Sequence, residues 1–157
     1  MTATAAPSPA PIVRTVEVAV PPARAFEVFT ARLSDWWPLN THSVFGERAQ
    51  TVQMVPGVGG EIVERSRTGE VAVWGTALVW EEGVEVGFTW HPGAGPEHAT
   101  RVHVRFEPVD AGAHGARSHV VVVHDGWEHR TDDPIAYRVY QSDWDAVLRL
   151  YADEAAA

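Results

Sequence analysis

The sequence predicts an α+β protein: a curved antiparallel sheet of about seven strands gripping a long C-terminal helix, with two short helices after the first strand. Three observations carry this. Between residues 51 and 125 nearly every stretch is strand-like and is broken at hairpin intervals by Gly and Pro turns. Where alternation is clean, one side of each strand is apolar and the other polar. Only the C-terminal segment combines length, freedom from Gly and Pro, and an apolar stripe at helical spacing.

Residues 12–20 alternate and are rich in β-branched side chains, which suits a strand. Pro21-Pro22 stops it, and Pro22 is placed to open a helix over residues 22–31, in which Phe26 and Phe29 share a face. Residues 33–37 read as a second short helix or a single turn ended by Pro38. A loop through Thr41, His42 and Phe45 follows. Strands are expected at 51–55, 61–67, 71–81, 84–91, 100–108 and 118–124. In the sixth strand Val102, Val104 and Phe106 oppose Arg101, His103, Arg105 and Glu107. In the fifth, Val84, Val86, Phe88 and Trp90 oppose Glu85, Gly87, Thr89 and His91. The dry face needs a cover. A helix over 134–153, about 30 Å long at 1.5 Å per residue, supplies it: Asp132 or Asp133 caps it, Pro134 opens it, and Tyr140, Trp144, Val147, Leu148 and Tyr151 form its stripe.

At 157 residues and 17.2 kDa the chain is the size of one domain, expected over residues 12–157. Residues 1–11, almost entirely Ala, Pro, Ser and Thr, read as a disordered lead-in. They fail as a signal peptide, so a cytoplasmic location is expected. With no cysteine, disulfide frameworks, thiolate metal sites and thiol nucleophiles are excluded. All twelve basic residues are Arg, which removes Schiff-base chemistry and the Lys of a phosphate-binding loop. A formal charge of −9 argues against nucleic acid as a partner. No apolar run is long enough for membrane insertion.

Several short motifs occur in a telling order. They are Ala25-Phe26-Glu27-Val28-Phe29-Thr30, Trp36-Trp37-Pro38, Thr41-His42-Ser43-Val44, Gly59-Gly60, Trp74-Gly75, Phe88-Thr89-Trp90, His124-Asp125-Gly126-Trp127, and Trp144 with Val147-Leu148. Over roughly residues 12–152 this pattern resembles the START-like (SRPBCC) superfamily of helix-grip folds. Within it, the pattern is most similar to small bacterial homologues of the C-terminal domain of the heat-shock-protein-90 ATPase activator. The resemblance implies a cavity between sheet and long helix, closed at one end by the loop after the first helices. In relatives such a cavity holds lipids, aromatic polyketides or plant hormones.

Seven Trp suit the walls of such a site. The candidate ligand-binding residues are Trp36, Trp37, Phe45, Trp74, Phe88, Trp90, His124, Tyr140 and Trp144; the competing reading for each aromatic is core packing. His124 ends the last strand on the face of Val120 and Val122, as a ligand anchor or general base, or else bonded to a backbone carbonyl. His42, near the expected mouth, and Glu64, on the face of Ile62, are the other weak catalytic candidates. No metal site is expected, because His119 and His124 fall on opposite strand faces and no HExxH pair occurs. Gly57, Gly59 and Gly60 are turn glycines with no helix after them, so no dinucleotide cofactor is expected either. The leading reading is a binding module for a small apolar or aromatic ligand. An enzyme of polyketide cyclase or aromatase type, using an inward His and acid that touch, comes second. A chaperone-associated or other protein-interaction module, or a homodimer, is third.

Overall fold

In a computed structural model of the chain, residues 9–109 and 116–157 are described. The alternating segments become strands β1 (Ile12–Val18), β2 (Ala49–Met54), β3 (Glu61–Ser66), β4 (Val71–Glu81), β5 (Glu85–Trp90), β6 (Thr100–Val109) and β7 (Arg117–Asp125). They form one antiparallel sheet in the order β1-β7-β6-β5-β4-β3-β2. The first strand therefore joins the meander at its far end, with Ile12 opposite His124 and Val18 opposite Ser118. Helices α1 (Pro22–Thr30) and α2 (Leu33–Trp36) follow β1, and α3 (Ala136–Ala156) ends the chain.

The sheet is bent where its ladders slip. Register shifts fall between Ile62 and Val63 and between Ala77 and Val79, and bulges of this kind bend a strand and increase its twist. Gly75 lies between them. A Cβ there would stand 1.7 Å from the Thr89 carbonyl oxygen, so only glycine lets the strands approach this closely.

The dry face carries Val86, Phe88 and Trp90 of β5, Val102, Val104 and Phe106 of β6, and Val120 and Val122 of β7, all buried. Trp144, Val147, Leu148 and Tyr151 of α3 belong to the same core. The Tyr151 hydroxyl donates to the Ala25 carbonyl at 2.7 Å, and Trp36 Nε1 donates to Val28 at 2.9 Å. These bonds tie the short helices to α3 and to each other. The outer face pairs its charges instead: Arg101 with Asp125 at 3.2 Å, His103 with Glu85 at 2.9 Å, Arg105 with Glu107 at 3.3 Å.

Several boundaries differ from the sequence expectation. β1 ends at Val18 rather than at residue 20, and β2 begins two residues earlier than expected, at Ala49. α3 starts at Ala136 because residues 134–135 form a turn, in which an Asp133 oxygen accepts the Ile135 N–H at 3.1 Å. It continues to Ala156, past the expected residue 153, since nothing stops it and Ala155 is buried. Val84 leaves the dry face for a turn and is 47% exposed, whereas His91, expected wet, is buried with Nδ1 3.0 Å from the Ala94 carbonyl. Most of the lead-in expected at residues 1–11 lies outside the described residues, but the Ala10 carbonyl accepts the Tyr137 hydroxyl at 2.8 Å. Among the described residues no helix is long and apolar enough to cross a membrane.

Candidate functional site

A cavity of about 330 Å³ lies between the loop after α2, the end of β5 and the first half of α3. Trp37, Trp90, Tyr140, Trp144 and Val147 make its apolar wall, and Thr41, His42, Arg130, Asp133 and Asp143 supply polar groups. Val44 and Val139, both exposed, stand at its rim. The helix contributes through its period: Ala136, Tyr140, Asp143 and Val147 recur at i, i+4, i+7 and i+11, so they share one face.

The loop is anchored from below. Glu64, fully buried on β3, accepts the backbone N–H groups of Val44 and Phe45 at 2.8 and 2.9 Å and Trp74 Nε1 at 2.9 Å. Trp37 Nε1 donates to the His42 carbonyl at 2.7 Å. Held in this way, His42 puts Nε2 3.0 Å from an Asp143 carboxylate oxygen and Nδ1 2.7 Å from the Thr41 hydroxyl. A carboxylate only accepts, so Nε2–H donates to Asp143; in the neutral imidazole Nδ1 then accepts the Thr41 O–H, whose other acceptor, the Pro38 carbonyl, is farther away at 3.4 Å. Hydroxyl, imidazole and carboxylate thus form a relay at the cavity mouth.

On the opposite side Trp90 Nε1 donates to the Tyr140 oxygen at 2.8 Å. Burial is the main cause that holds the Tyr140 phenol above its ordinary value, and it outweighs the opposing Trp90 hydrogen bond and the charge of Arg130, so Tyr140 stays protonated. Arg130 borders the same space. Its guanidinium lies 3.4 Å from Asp132 and 3.8 Å from Asp133, yet Nε is poorly aligned and makes no hydrogen bond among the described residues.

No family model and no curated protein matches the chain, whereas many solved structures do. The anthrahydroquino-γ-pyrone synthase Txn09 is 26% identical, with 93% of this chain and 97% of that chain covered, at a TM-score of 0.64. The Aha1 dimer from Colwellia psychrerythraea is 15% identical, covering 92% and 95%, at 0.65. An HSP90 activator from Plasmodium falciparum is 16% identical, covering 90% and 92%, at 0.55. The fold is START-like. The two activator likenesses, at this identity, carry the helix-grip architecture and nothing about partners.

Within the START-like frame, five of the residues singled out from the sequence, Trp37, His42, Trp90, Tyr140 and Trp144, line the cavity. The others are placed elsewhere. Trp36 packs between Phe29 and Tyr151 at 5.2 and 5.1 Å, and Trp74 between Trp37 and Trp90 at 5.5 and 5.4 Å. Phe88 is buried beside Trp90, and Phe45 is half-buried under the Arg48 guanidinium. His124 is fully buried behind the wall: Trp144 Nε1 donates to its Nδ1 at 3.0 Å, and its Nε2 donates to Thr100, which donates to the Trp90 carbonyl. Burial first, and the Arg130 charge second, push its pKa down to about 3, so it is neutral and fully bonded rather than a base facing a ligand. Glu64 anchors the loop and lies outside the cavity lining. Asp143 and Arg130 went unremarked in the sequence, and Thr41 was read there as part of the loop and its motif, not as a site residue. For Asp143 the signal was its position three residues after Tyr140 and four before Val147; for Arg130 none was available, because its loop has no period.

Proposed function

We propose that this chain binds a small aromatic or otherwise apolar molecule in the cavity between the 37–44 loop, β5 and α3. The observation that carries the reading is an aromatic-walled space of about 330 Å³ with a few convergent polar groups. Small-molecule sites span roughly 300–1,000 Å³, so this one suits a fused two- or three-ring ligand. Titration with 1-naphthol should quench Trp fluorescence saturably, with a Kd of about 1–100 μM. Trp90→Leu, which keeps the wall apolar but removes ring area, should weaken binding more than it weakens folding. Quenching that never saturates, or that is the same in the variant, would remove this reading.

A second reading, an enzyme acting on such a ligand, is favoured by the Thr41–His42–Asp143 relay and by the 26% identity to the anthrahydroquino-γ-pyrone synthase along nearly the whole chain. His42 Nδ1 takes a proton from a carbon flanking a ligand carbonyl, directly or through Thr41, and Asp143 stabilises the resulting imidazolium. The matching assay is deuterium incorporation at the α-carbon of 1-tetralone in D2O. His42→Gln should slow it by about 10²-fold, as loss of a general base does. Exchange no faster than in free imidazole would leave a binding protein without catalysis.

A further inference from the structure

We propose that the ligand carries a carbonyl oxygen, of a ketone, quinone or ester, and that Tyr140 receives it with its hydroxyl proton. The inference rests on the ligand-binding reading above and names the chemistry that the cavity selects.

The argument is an inventory of donors and acceptors. A phenol has one proton to give and accepts through its oxygen. At Tyr140 the oxygen is already occupied by Trp90 Nε1–H at 2.8 Å, an indole that can only donate. The direction of that bond is therefore settled, and the Tyr140 proton is left over. Among the described residues nothing accepts it. Tyr140 lines the cavity, so the unspent proton belongs to a group on its wall. Arg130 adds positive charge to the same wall, with an Nε that is 3.4 Å from Asp132 but makes no hydrogen bond among the described residues.

Each titratable acceptor there already holds a partner. Asp143 takes the His42 proton at 3.0 Å, His42 Nδ1 takes the Thr41 proton at 2.7 Å, and Asp133 takes the Ile135 N–H at 3.1 Å while facing Arg130. A wall with an unspent phenol proton is complementary to a ligand that accepts. A bare hydrocarbon would leave the Tyr140 proton without a partner in a partly dry site, which is costly. A carbonyl oxygen fills that vacancy, and polarising it there acidifies the neighbouring carbon, in the same space as His42.

The test compares two probes of nearly equal shape, 1-tetralone and its hydrocarbon counterpart tetralin, by calorimetric titration. The native protein should prefer the ketone by about three- to tenfold, the range of one uncharged hydrogen bond. Tyr140→Phe should abolish that preference, read as the ratio of the two affinities within the same variant. The carbonyl stretch of bound 1-tetralone should fall in frequency in the native protein and return towards its apolar-solvent value in the variant. If both probes bind the native protein equally, or if Tyr140→Phe keeps the preference, the carbonyl assignment is overturned while the binding cavity stands. If neither probe binds, the cavity reading itself is overturned. An unshifted carbonyl band in the native protein sinks the assignment even should the variant fold poorly.

Discussion

His42 and Asp143, 101 positions apart in the chain, meet at 3.0 Å across the cavity mouth. The contact joins a loop to α3, and it decides where the imidazole proton sits. Asp143→Asn removes the obligate acceptor and places an amide there that can donate to Nε2. Nitrogen NMR of the native protein should show the Nε2–H form, and the variant should move towards Nδ1–H. Both side chains are about one-third exposed, so the stability cost should stay under about 1 kcal/mol. An unchanged tautomer would show that Asp143 does not orient the ring.

His124 predicts acid sensitivity. Its folded pKa of about 3 lies below the ordinary 6.5, so the unfolded chain binds a proton that the folded protein refuses throughout that window. Stability is complete above pH 6.5 and is lost as pH falls towards 3, with a slope from this residue approaching about 1.4 kcal/mol per pH unit. Urea denaturation at neutral and at mildly acidic pH should show this slope, and His124→Gln should flatten it. A variant as pH-sensitive as the native protein would place the acid-labile group elsewhere.

Glu64 accepts three hydrogen bonds with no exposure to water. Replacement by Gln turns one oxygen into a donor that faces another donor. The expected cost is about 1.5–3 kcal/mol, the range for bonds to a charged group. Because two of the three donors are the backbone of Val44 and Phe45, amide exchange in that loop should also accelerate. A cost under about 0.5 kcal/mol would mean that the loop is held chiefly by its other contacts.

Leu148 is 2% exposed on the core side of α3, and Arg149 beside it is exposed. Leu148→Ala should cost about 2–5 kcal/mol, as buried leucine truncations do, and Arg149→Ala less than about 1 kcal/mol. Chemical denaturation of the two variants decides the matter: comparable losses would contradict this orientation of the helix.

Where periodicity survives packing, the sequence was legible. The strands, their order along the chain and the buried face of α3 could all be read, because a period of 2 or 3.6 reports which side chains point together. Val102, Val104 and Phe106 on one strand and Trp144, Val147 and Leu148 on the helix are buried as that pattern requires. Boundaries shifted where local bonding competes with the pattern, as at the Asp133 turn before Ala136.

The site depended on distances that no period encodes. Trp36, Trp74 and Trp90 look alike in the sequence, yet only Trp90 of these lines the cavity, because the bend around Gly75 and the closure of the 37–44 loop decide which rings meet each other and which meet open space. His124 could be read from the sequence either as a ligand anchor or base or as a histidine bonded within the fold, and tertiary packing engaged both of its nitrogens with Trp144 and Thr100. His42 was a weak candidate near the expected mouth, and its partner Asp143 became visible only when α3 brought it there. Composition and alternation thus determined the curled sheet and the helix that grips it. Only the folding of a loop onto a helix a hundred residues away decided which polar groups face the cavity, since a hydrogen bond needs its partners within about 3 Å and the chain alone does not say who will be there.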